Sequence, residues 1–468
     1  MPPRILIGMP AFRGVEHIRQ SLQSISDQNH RDFRVLISVD NQDTDTARAC
    51  APFLTDPRFS QVVQTRHLGW AANINWLMSQ PDYDFFCYWQ HDDYTSPDYI
   101  SALLESSVRH PSAACYFSAI QWVGEHSTWL GSSSVVGLAV NRVGSIFEGL
   151  NGIPLRGLIR RSAIDRVGPI RVTDHESAFE EYVWIGKLAA AGNLHYVEGP
   201  LYFKRAREDS VHAKWHGKDR LWKRAAWMEF GLGMLEALWP LVSASDRVDA
   251  LCTVLDRLCI PKAGRFNLYD GPAVPFASDF LSRALERFPI PSLEKAIAGE
   301  RAESFAGGLA GELLDQAISF QRSRPETPTA DQGSFRFSAG EAGIDLLLDG
   351  WSIAEPWGTW SVGPQAGLRL PVAASKGLWK AVMTFRVFGK RGSVPVEISV
   401  PASAPATWHV PARQIVTKEF HVTSQSADVV VRFGFPQATS PMALRESDDR
   451  RRLGIGLVSL DLIGPGGA

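Results

Sequence analysis

The sequence predicts an α/β protein: a mostly parallel sheet with helices on both faces, followed by a helical region and an antiparallel β-sandwich. Apolar strand-like runs alternate with helical patterns over about the first 210 residues, as in a βαβ sheet. Helical periodicity then runs from about 214 to 322, and from about 333 short strand-like runs recur between Gly and Pro. At roughly 150 residues per domain, 468 residues make about three domains. The expected boundaries are 1–212, 213–325 and 333–468.

The first strand is the run Arg4 to Met9, ended by Pro10, after which Val15, Ile18, Leu22 and Ile25 recur on one helical face. Phe33 to Val39 is the second strand and delivers Asp40 at its end; Asp43-Thr44-Asp45 caps the next helix. Val62-Val63 marks a third strand and Gly69 to Met78 a helix. Phe85 to Trp89 is a fourth strand that ends in His91-Asp92-Asp93, and Pro97-Asp98 opens another helix. Further helical patterns cover Leu221 to Leu241, Arg247 to Leu258, Phe280 to Leu285 and Glu303 to Phe320. Ser323 to Thr329 reads as a linker, and the sandwich strands include Met383 to Phe388, Val394 to Val400, Val429 to Phe435 and Leu457 to Leu462.

A hydrophobic content of 45% with 21% charged residues excludes a largely disordered chain. The net charge of −2 gives no basis for a nucleic-acid partner. Five scattered cysteines (50, 87, 115, 252, 259), none in a CxxC pair, fit free thiols in a reducing compartment. The apolar run before Pro10 is too short for a signal-peptide core, and no stretch reaches the roughly 18 apolar residues of a membrane span. The expected location is the cytoplasm.

In open α/β sheets ligands bind beyond the carboxyl ends of the strands. Pro10, Asp40 and Asp92-Asp93 all fall there. Two adjacent carboxylates are hard oxygen donors suited to a divalent cation that also binds a diphosphate. The other reading of the same stretch is a cap on the helix that follows Pro97.

These motifs, in this order, resemble the family 2 glycosyltransferases of the GT-A nucleotide-diphospho-sugar transferase fold. Pro10-Ala11-Phe12-Arg13 is similar to the family's Pro-x-aromatic-polar turn, Val39 to Asp45 to its Asp-rich loop, and Gly69-Trp70-Ala71-Ala72-Asn73 to its Gly-x-x-Ala-x-Asn-like helix start. His91-Asp92-Asp93 is similar to its DXD-type strand end, Leu158 to Ala163 to the stretch leading into the acceptor side, and Phe179-Glu180-Glu181 to its acidic pair. The resemblance spans about residues 4 to 212. It departs at Gln90, where many relatives carry Asp, at Glu-Glu for the commoner Glu-Asp, and at Arg207, where the family often has His.

The resemblance implies an inverting transferase acting in bacterial surface polysaccharide synthesis. The donor would be a nucleotide sugar, a UDP-sugar first, and the acceptor a saccharide or lipid-linked saccharide. Asp40 would bind the base, Pro10, Phe12 and Arg13 would wall its pocket, and Asn73 would join the nucleotide site. Asp92 and Asp93 would serve the ribose and a divalent cation (Mn²⁺ or Mg²⁺), in either order. Arg207 would grip the diphosphate, and Glu181, with Glu180 beside it, would be the general base.

Lys214 to Arg224 mixes basic and aromatic residues, as would a helix at the inner membrane face or one packing its Trp side chains on the catalytic domain. Gly350 to Ser361 carries three Trp that would either stack on sugars or fill a core. The C-terminal stretch resembles the jelly-roll-like modules of bacterial polysaccharide enzymes. The alternative to catalysis is a non-catalytic sugar- or nucleotide-binding protein on a decayed transferase fold.

Overall fold

The computed structural model describes residues 2–465 except 125–127, 207–213, 216, 263–264, 270, 272, 291–308, 324–331, 339–340, 353, 373–375, 391, 426–427 and 448. Packing divides the chain into two units. The first comprises Met1–Gly217, Ala225–Phe266 and Arg287–Ala306; the second comprises Lys218–Arg224, Asn267–Glu286 and Gly307–Ala468.

The first unit opens as expected with β1 (Ile5–Ala11), α1 (Ile18–Ser26), β2 (Arg34–Val39), α2 (Thr44–Cys50), β3 (Phe59–Val63), α3 (Gly69–Met78) and β4 (Phe85–Tyr88). These four strands pair parallel in the order β3-β2-β1-β4. Ile18, Leu22 and Ile25 form the buried face of α1, whereas Val15 lies in the turn before the helix and is exposed. Asp43 caps α2, accepting from the Thr46 amide.

Beyond β4 the sheet is mixed. After β5 (Tyr94–Thr95) and α4 (Tyr99–Arg109) come β6 (Cys115–Val123), β7 (Trp129–Leu130), α5 (Ala139–Gly149), β8 (Leu158–Arg160) and α6 (Arg161–Val167). Then follow α7 (Glu180–Ala191) and β9 (Leu194–Arg205). The three-residue β8 runs antiparallel between β4 and β6; β6 and β9 pair parallel, and β5 joins β9 antiparallel. Short antiparallel insertions thus extend the sheet past the parallel half that the alternation of strands and helices predicted. They carry the end of β9 to the loop between β4 and β5.

Four helices follow: α8 (Arg220–Leu238), α9 (Arg247–Cys259), α10 (Ala273–Arg287) and α11 (Leu309–Ser323). The helical stretch is shared between the units, with 225–266 in the first and 267–286 in the second. The reason lies in α8, whose Trp227 and Phe230 pack on Phe179, at ring distances of 5.2 and 5.5 Å. Trp215 is likewise buried against Phe179, so that ring packs inward. Among the described residues no helix is long and apolar enough to cross a membrane. None of the five cysteines is in a disulfide.

In the second unit, β10 (Gln332–Arg336), β11 (Thr359–Val362), β13 (Gly377–Val387), β16 (Ile415–Ser424) and β18 (Leu453–Ile463) form one antiparallel sheet. β12 (Gln365–Leu370), β14 (Ser393–Ser399), β15 (Ala406–Pro411) and β17 (Val429–Gly434) form the other. Alternate residues of both sheets, among them Met383, Phe385, Val396, Phe433 and Leu457, meet in one apolar core. Most of the linker expected near 323–329 lies outside the described residues.

Candidate active site

The fully buried strand β4 ends at Trp89, which is also buried and donates its amide to Gly8 O on β1. The next four residues turn, and β5 then returns along β9. α4 begins only at Tyr99, so Asp92 and Asp93 do not cap it. Asp93 is 1% exposed, and its Oδ1 accepts the Arg205 amide at 2.9 Å. The Arg205 side chain closes the same junction, donating to Asp92 O at 3.3 Å and to Gln20 Oε1 at 2.7 Å.

Arg156 approaches from the turn before β8. It donates to Gln90 Oε1 at 3.1 and 2.6 Å, and its Nε stands 4.0 Å from Asp93 Oδ2. Burial and the neighbouring Asp92 push the Asp93 carboxyl up to about 6, against the pull of Arg156 and the Arg205 amide. Asp93 Oδ2 is buried without a hydrogen bond. Two adjacent carboxylates, one with a buried oxygen that accepts no hydrogen bond, fit a hard divalent cation. Among the described residues no group of three or more His, Cys, Asp or Glu forms a metal cage.

The acidic pair on α7 is split by its surroundings. Glu180 is 1% exposed and gripped by Arg171, which donates to Oε2 at 2.8 Å and to Oε1 at 2.5 Å. Arg171 also reaches Glu236 at 3.4 Å, and Glu236 takes Lys187 and Arg287. Burial pushes the Glu180 carboxyl up while Arg171 pulls it down. Glu181, one residue on, points elsewhere. The buried phenol of Tyr88, at the end of β4, is held above its ordinary range mainly by burial, and Arg156, Asp92, Asp93 and Glu181 all lie within its electrostatic reach. Like Asp92 and Asp93, Glu181 acts electrostatically on Tyr88 and on Lys204, whereas Glu180 is bound by Arg171, which also donates to Glu229 O on α8.

The backbone before α7 is unusual. Glu176, Ser177 and Phe179 have φ of 56°, 53° and 65°, a left-handed region that non-glycine residues seldom adopt. Phe179 holds this turn because its ring sits among Trp215, Trp227, Phe230 and Phe266. Core packing thus offsets a strained approach to Glu180 and Glu181.

The nucleotide residues expected at the β1 and β2 ends lie close together. Phe12 stands 5.3 Å from the His67 ring, and Arg13 lies 5.0 Å over Phe12. Pro10 does not end β1 as expected but pairs within it, one residue before its end at Ala11, and its carbonyl lies 3.3 Å from His91 Nδ1. Asp40 is 2% exposed; it accepts the Leu68 and Gly69 amides at 2.8 and 3.0 Å, and His67 Nδ1 lies 3.0 Å from its Oδ2. Asp40 therefore also caps the start of α3, where Gly69 takes φ +76°. Asn73 is not brought to this surface: it is 2% exposed and its amide donates to Ser38 O at 3.2 Å. Arg207 lies outside the described residues.

Three residues of the site carry no motif: His67, Arg156 and Lys204. Lys204 lies on β9 opposite Trp122 of β6, with its Nζ 4.4 Å from the centre of the Trp122 ring. Burial and Arg156 pull its ammonium down to about 7, opposed by Asp93, Glu181 and Asp92. The signal for Lys204 was strand alternation: Arg205 turns to α1, so Lys204 turns the other way.

Residues 6–167 match the family described as Glycosyl transferase family 2, and residues 328–464 match a domain of unknown function, DUF7024. No curated protein matches the chain. Among solved structures, residues 1–349 of S. aureus TarS in complex with UDP-GlcNAc align at 13% identity over 68% of this chain and 89% of that one, with a TM-score of 0.50. Full-length S. aureus TarS aligns at 12% identity over 98% of this chain and 85% of that one, with a TM-score of 0.45. The mannosyltransferase PcManGT of Pyrobaculum calidifontis, in complex with GDP-Man and Mn²⁺, aligns at 12% over 70% and 89%, with a TM-score of 0.37. The TarS 1–349 likeness is one of fold, and the last two are too distant to argue from. Residues 6–167 thus match the family 2 glycosyltransferase model and lie on a GT-A-like mixed α/β sheet, and residues 328–464, which match DUF7024, include the antiparallel β-sandwich.

Proposed function

We propose that the chain is an inverting glycosyltransferase that moves a sugar from a nucleotide-diphospho-sugar to a hydroxyl of a saccharide or lipid-linked saccharide, in bacterial surface polysaccharide synthesis. The observation that supports this reading is the different setting of the two glutamates: Arg171 binds Glu180, while Glu181, like Asp92 and Asp93, acts electrostatically on Tyr88 and Lys204. UDP-sugars are the first donors to test, since the TarS 1–349 structure holds UDP-GlcNAc. The absence of a membrane-crossing helix among the described residues is compatible with action in the cytoplasm.

In this reading Phe12, Arg13 and His67 flank the base and Asp40 fixes the loop beneath it. Asp92 and Asp93 would hold Mn²⁺ or Mg²⁺, which when bound neutralises charge on the diphosphate. Glu181 takes the proton of the acceptor hydroxyl as its oxygen forms a bond to the anomeric carbon. The bond from that carbon to the diphosphate breaks, and its electron pair leaves on the β-phosphate oxygen. Arg171 keeps Glu180 out of this step and orients the first turn of α7.

The test is a donor panel assayed for nucleoside diphosphate release with Mn²⁺, with the anomeric configuration of the product read by NMR. Release from at least one nucleotide sugar, with inversion, supports the reading. A folded protein that binds nucleoside diphosphates but releases none from any donor would favour the decayed-transferase alternative.

A further inference from the structure

Lys204 belongs to none of the motifs that define the site, yet it is a cation set among its charges. The carboxylates acting on it are Asp93, Glu181 and Asp92, and the opposing cation is Arg156. Among the described residues no carboxylate comes within ion-pair distance of its Nζ, and its closest described partner is the Trp122 ring at 4.4 Å. Arg156 differs: its guanidinium is tied to Gln90 and to Gly152 O, and it faces Asp93. Arg205 is committed to Gln20 and the Asp92 carbonyl. Lys204 is therefore the cation of the cluster whose hydrogen-bonding capacity is not used by the described residues.

An ammonium carries three donors, and at this partly buried position the described residues accept none of them. A ring face supplies part of the compensation and no hydrogen bond. An arriving anion with several oxygens would supply the rest. The backbone supports such a role. Trp122 and Lys204 are register partners on paired strands, and the Arg205 amide bonds Asp93, so the Lys204 stem is anchored one residue from the acidic turn.

We infer that the Lys204 ammonium binds the diphosphate of the donor directly, beside the acidic pair, and holds the negative charge of the leaving nucleoside diphosphate. This rests on the donor reading above and adds to it a residue on the chain itself that shares the charge on the diphosphate with the cation held by Asp92 and Asp93. Gln90 is consistent with it. Its neutral side chain binds Arg156 and adds no further carboxylate to the cluster.

The test compares UDP with uridine, and GDP with guanosine, by calorimetry on the full chain, each in Mn²⁺ and in EDTA. Lys204→Met keeps the stem on Trp122 and removes the charge. It should weaken whichever diphosphate the wild type binds by about ten- to a hundredfold, the value of one charge-assisted hydrogen bond, and leave the matching nucleoside unchanged. Lys204→Arg should recover part of the loss. If Lys204→Met does not melt like the wild type, Lys204→Gln takes its place in the same comparison. Equal diphosphate affinity in wild type and variant, or equal losses for diphosphate and nucleoside, would overturn the inference and leave the donor reading standing. A wild type that binds neither UDP nor GDP, with or without Mn²⁺, overturns the donor reading itself.

Discussion

Arg171 and Glu180 form a bidentate ion pair at 2.8 and 2.5 Å, with the carboxylate 1% exposed. The pair decides between two adjacent glutamates that are chemically alike. Glu180 is held by a cation that also reaches Glu236 on α8, so it orients a helix.

The two glutamates should therefore fail differently. Glu181→Gln should lower turnover by roughly 10²- to 10⁴-fold with donor affinity nearly unchanged. Glu180→Gln should cost about 2 kcal/mol of stability, less than a fully isolated buried pair because Glu236 stays with Arg171. Steady-state kinetics and denaturant melts on both variants read the split. A loss of turnover confined to Glu180→Gln would move the base by one residue.

The acidic pair should divide along burial. Asp92→Ala and Asp93→Ala are both expected to weaken Mn²⁺-dependent UDP affinity. Only Asp93→Ala should also destabilise the protein, by about 1–3 kcal/mol, because it strips the buried Arg205 amide of its acceptor. Calorimetry showing unchanged affinity in both variants removes them from the donor site.

How far the site was legible follows from where its parts come from. Pro10, Asp40, Asp92 and Asp93 sit at strand ends, and a strand end is a local signal: an apolar run, then a turn with polar side chains. Arg156 reaches Gln90 from 66 residues away, and Arg205 reaches Asp93 from 112. Nothing local announces such partners, because mixed pairing of β8, β6 and β9 brings them together. The same holds for the different settings of Glu180 and Glu181, since the arginine that binds Glu180 lies nine residues upstream on irregular backbone. Asn73 matched a motif by residue type but stands on the buried side of α3, where only the sheet could show which way it faces. The sandwich was legible because period-two alternation is also local, whereas the sharing of the intervening helices depends on which aromatic faces they meet.

A pH dependence of stability should arise away from the site. His195 on β9 stacks on His110, with ring centroids 3.9 Å apart and planes 12° apart. Burial first, and then the neighbouring His110, hold the His195 ring below its ordinary range. A depressed folded-state pKa means that this contribution to stability is complete above the ordinary value of about 6.5 and is lost as pH falls through the lowered one. The melting temperature should thus decline from about pH 7 toward about pH 5, and His195→Phe, which keeps a stacked ring, should make the decline shallower. A slope that survives the substitution locates the sensitivity in another group.

The Trp-rich segment of the sandwich invites a role in sugar stacking, but its rings are already engaged. The Arg386 guanidinium lies 3.3 Å from the Trp357 ring centre and 4.9 Å from that of Trp360. Trp357 Nε1 donates to Glu355 at 2.8 Å. Beneath them Gly456 on β18 leaves no room: a Cβ there would stand 2.6 Å from Trp357 Cη2 and 3.0 Å from Trp360 Cε3. The glycine lets two indoles and an arginine lie on the sheet, so the segment holds the sandwich together. Gly456→Val should lift both rings and cost about 1–3 kcal/mol, as overpacking does elsewhere. Melting of the second unit should fall, while UDP affinity, which the proposed function assigns to residues before 210, should not change. Trp357→Ala should likewise lower the melting temperature without weakening binding of a long saccharide. If the folded Trp357→Ala protein instead loses saccharide affinity, the rings serve the acceptor after all. If Gly456→Val loses UDP affinity while the first unit remains folded, the assignment of donor chemistry to the first unit alone is wrong.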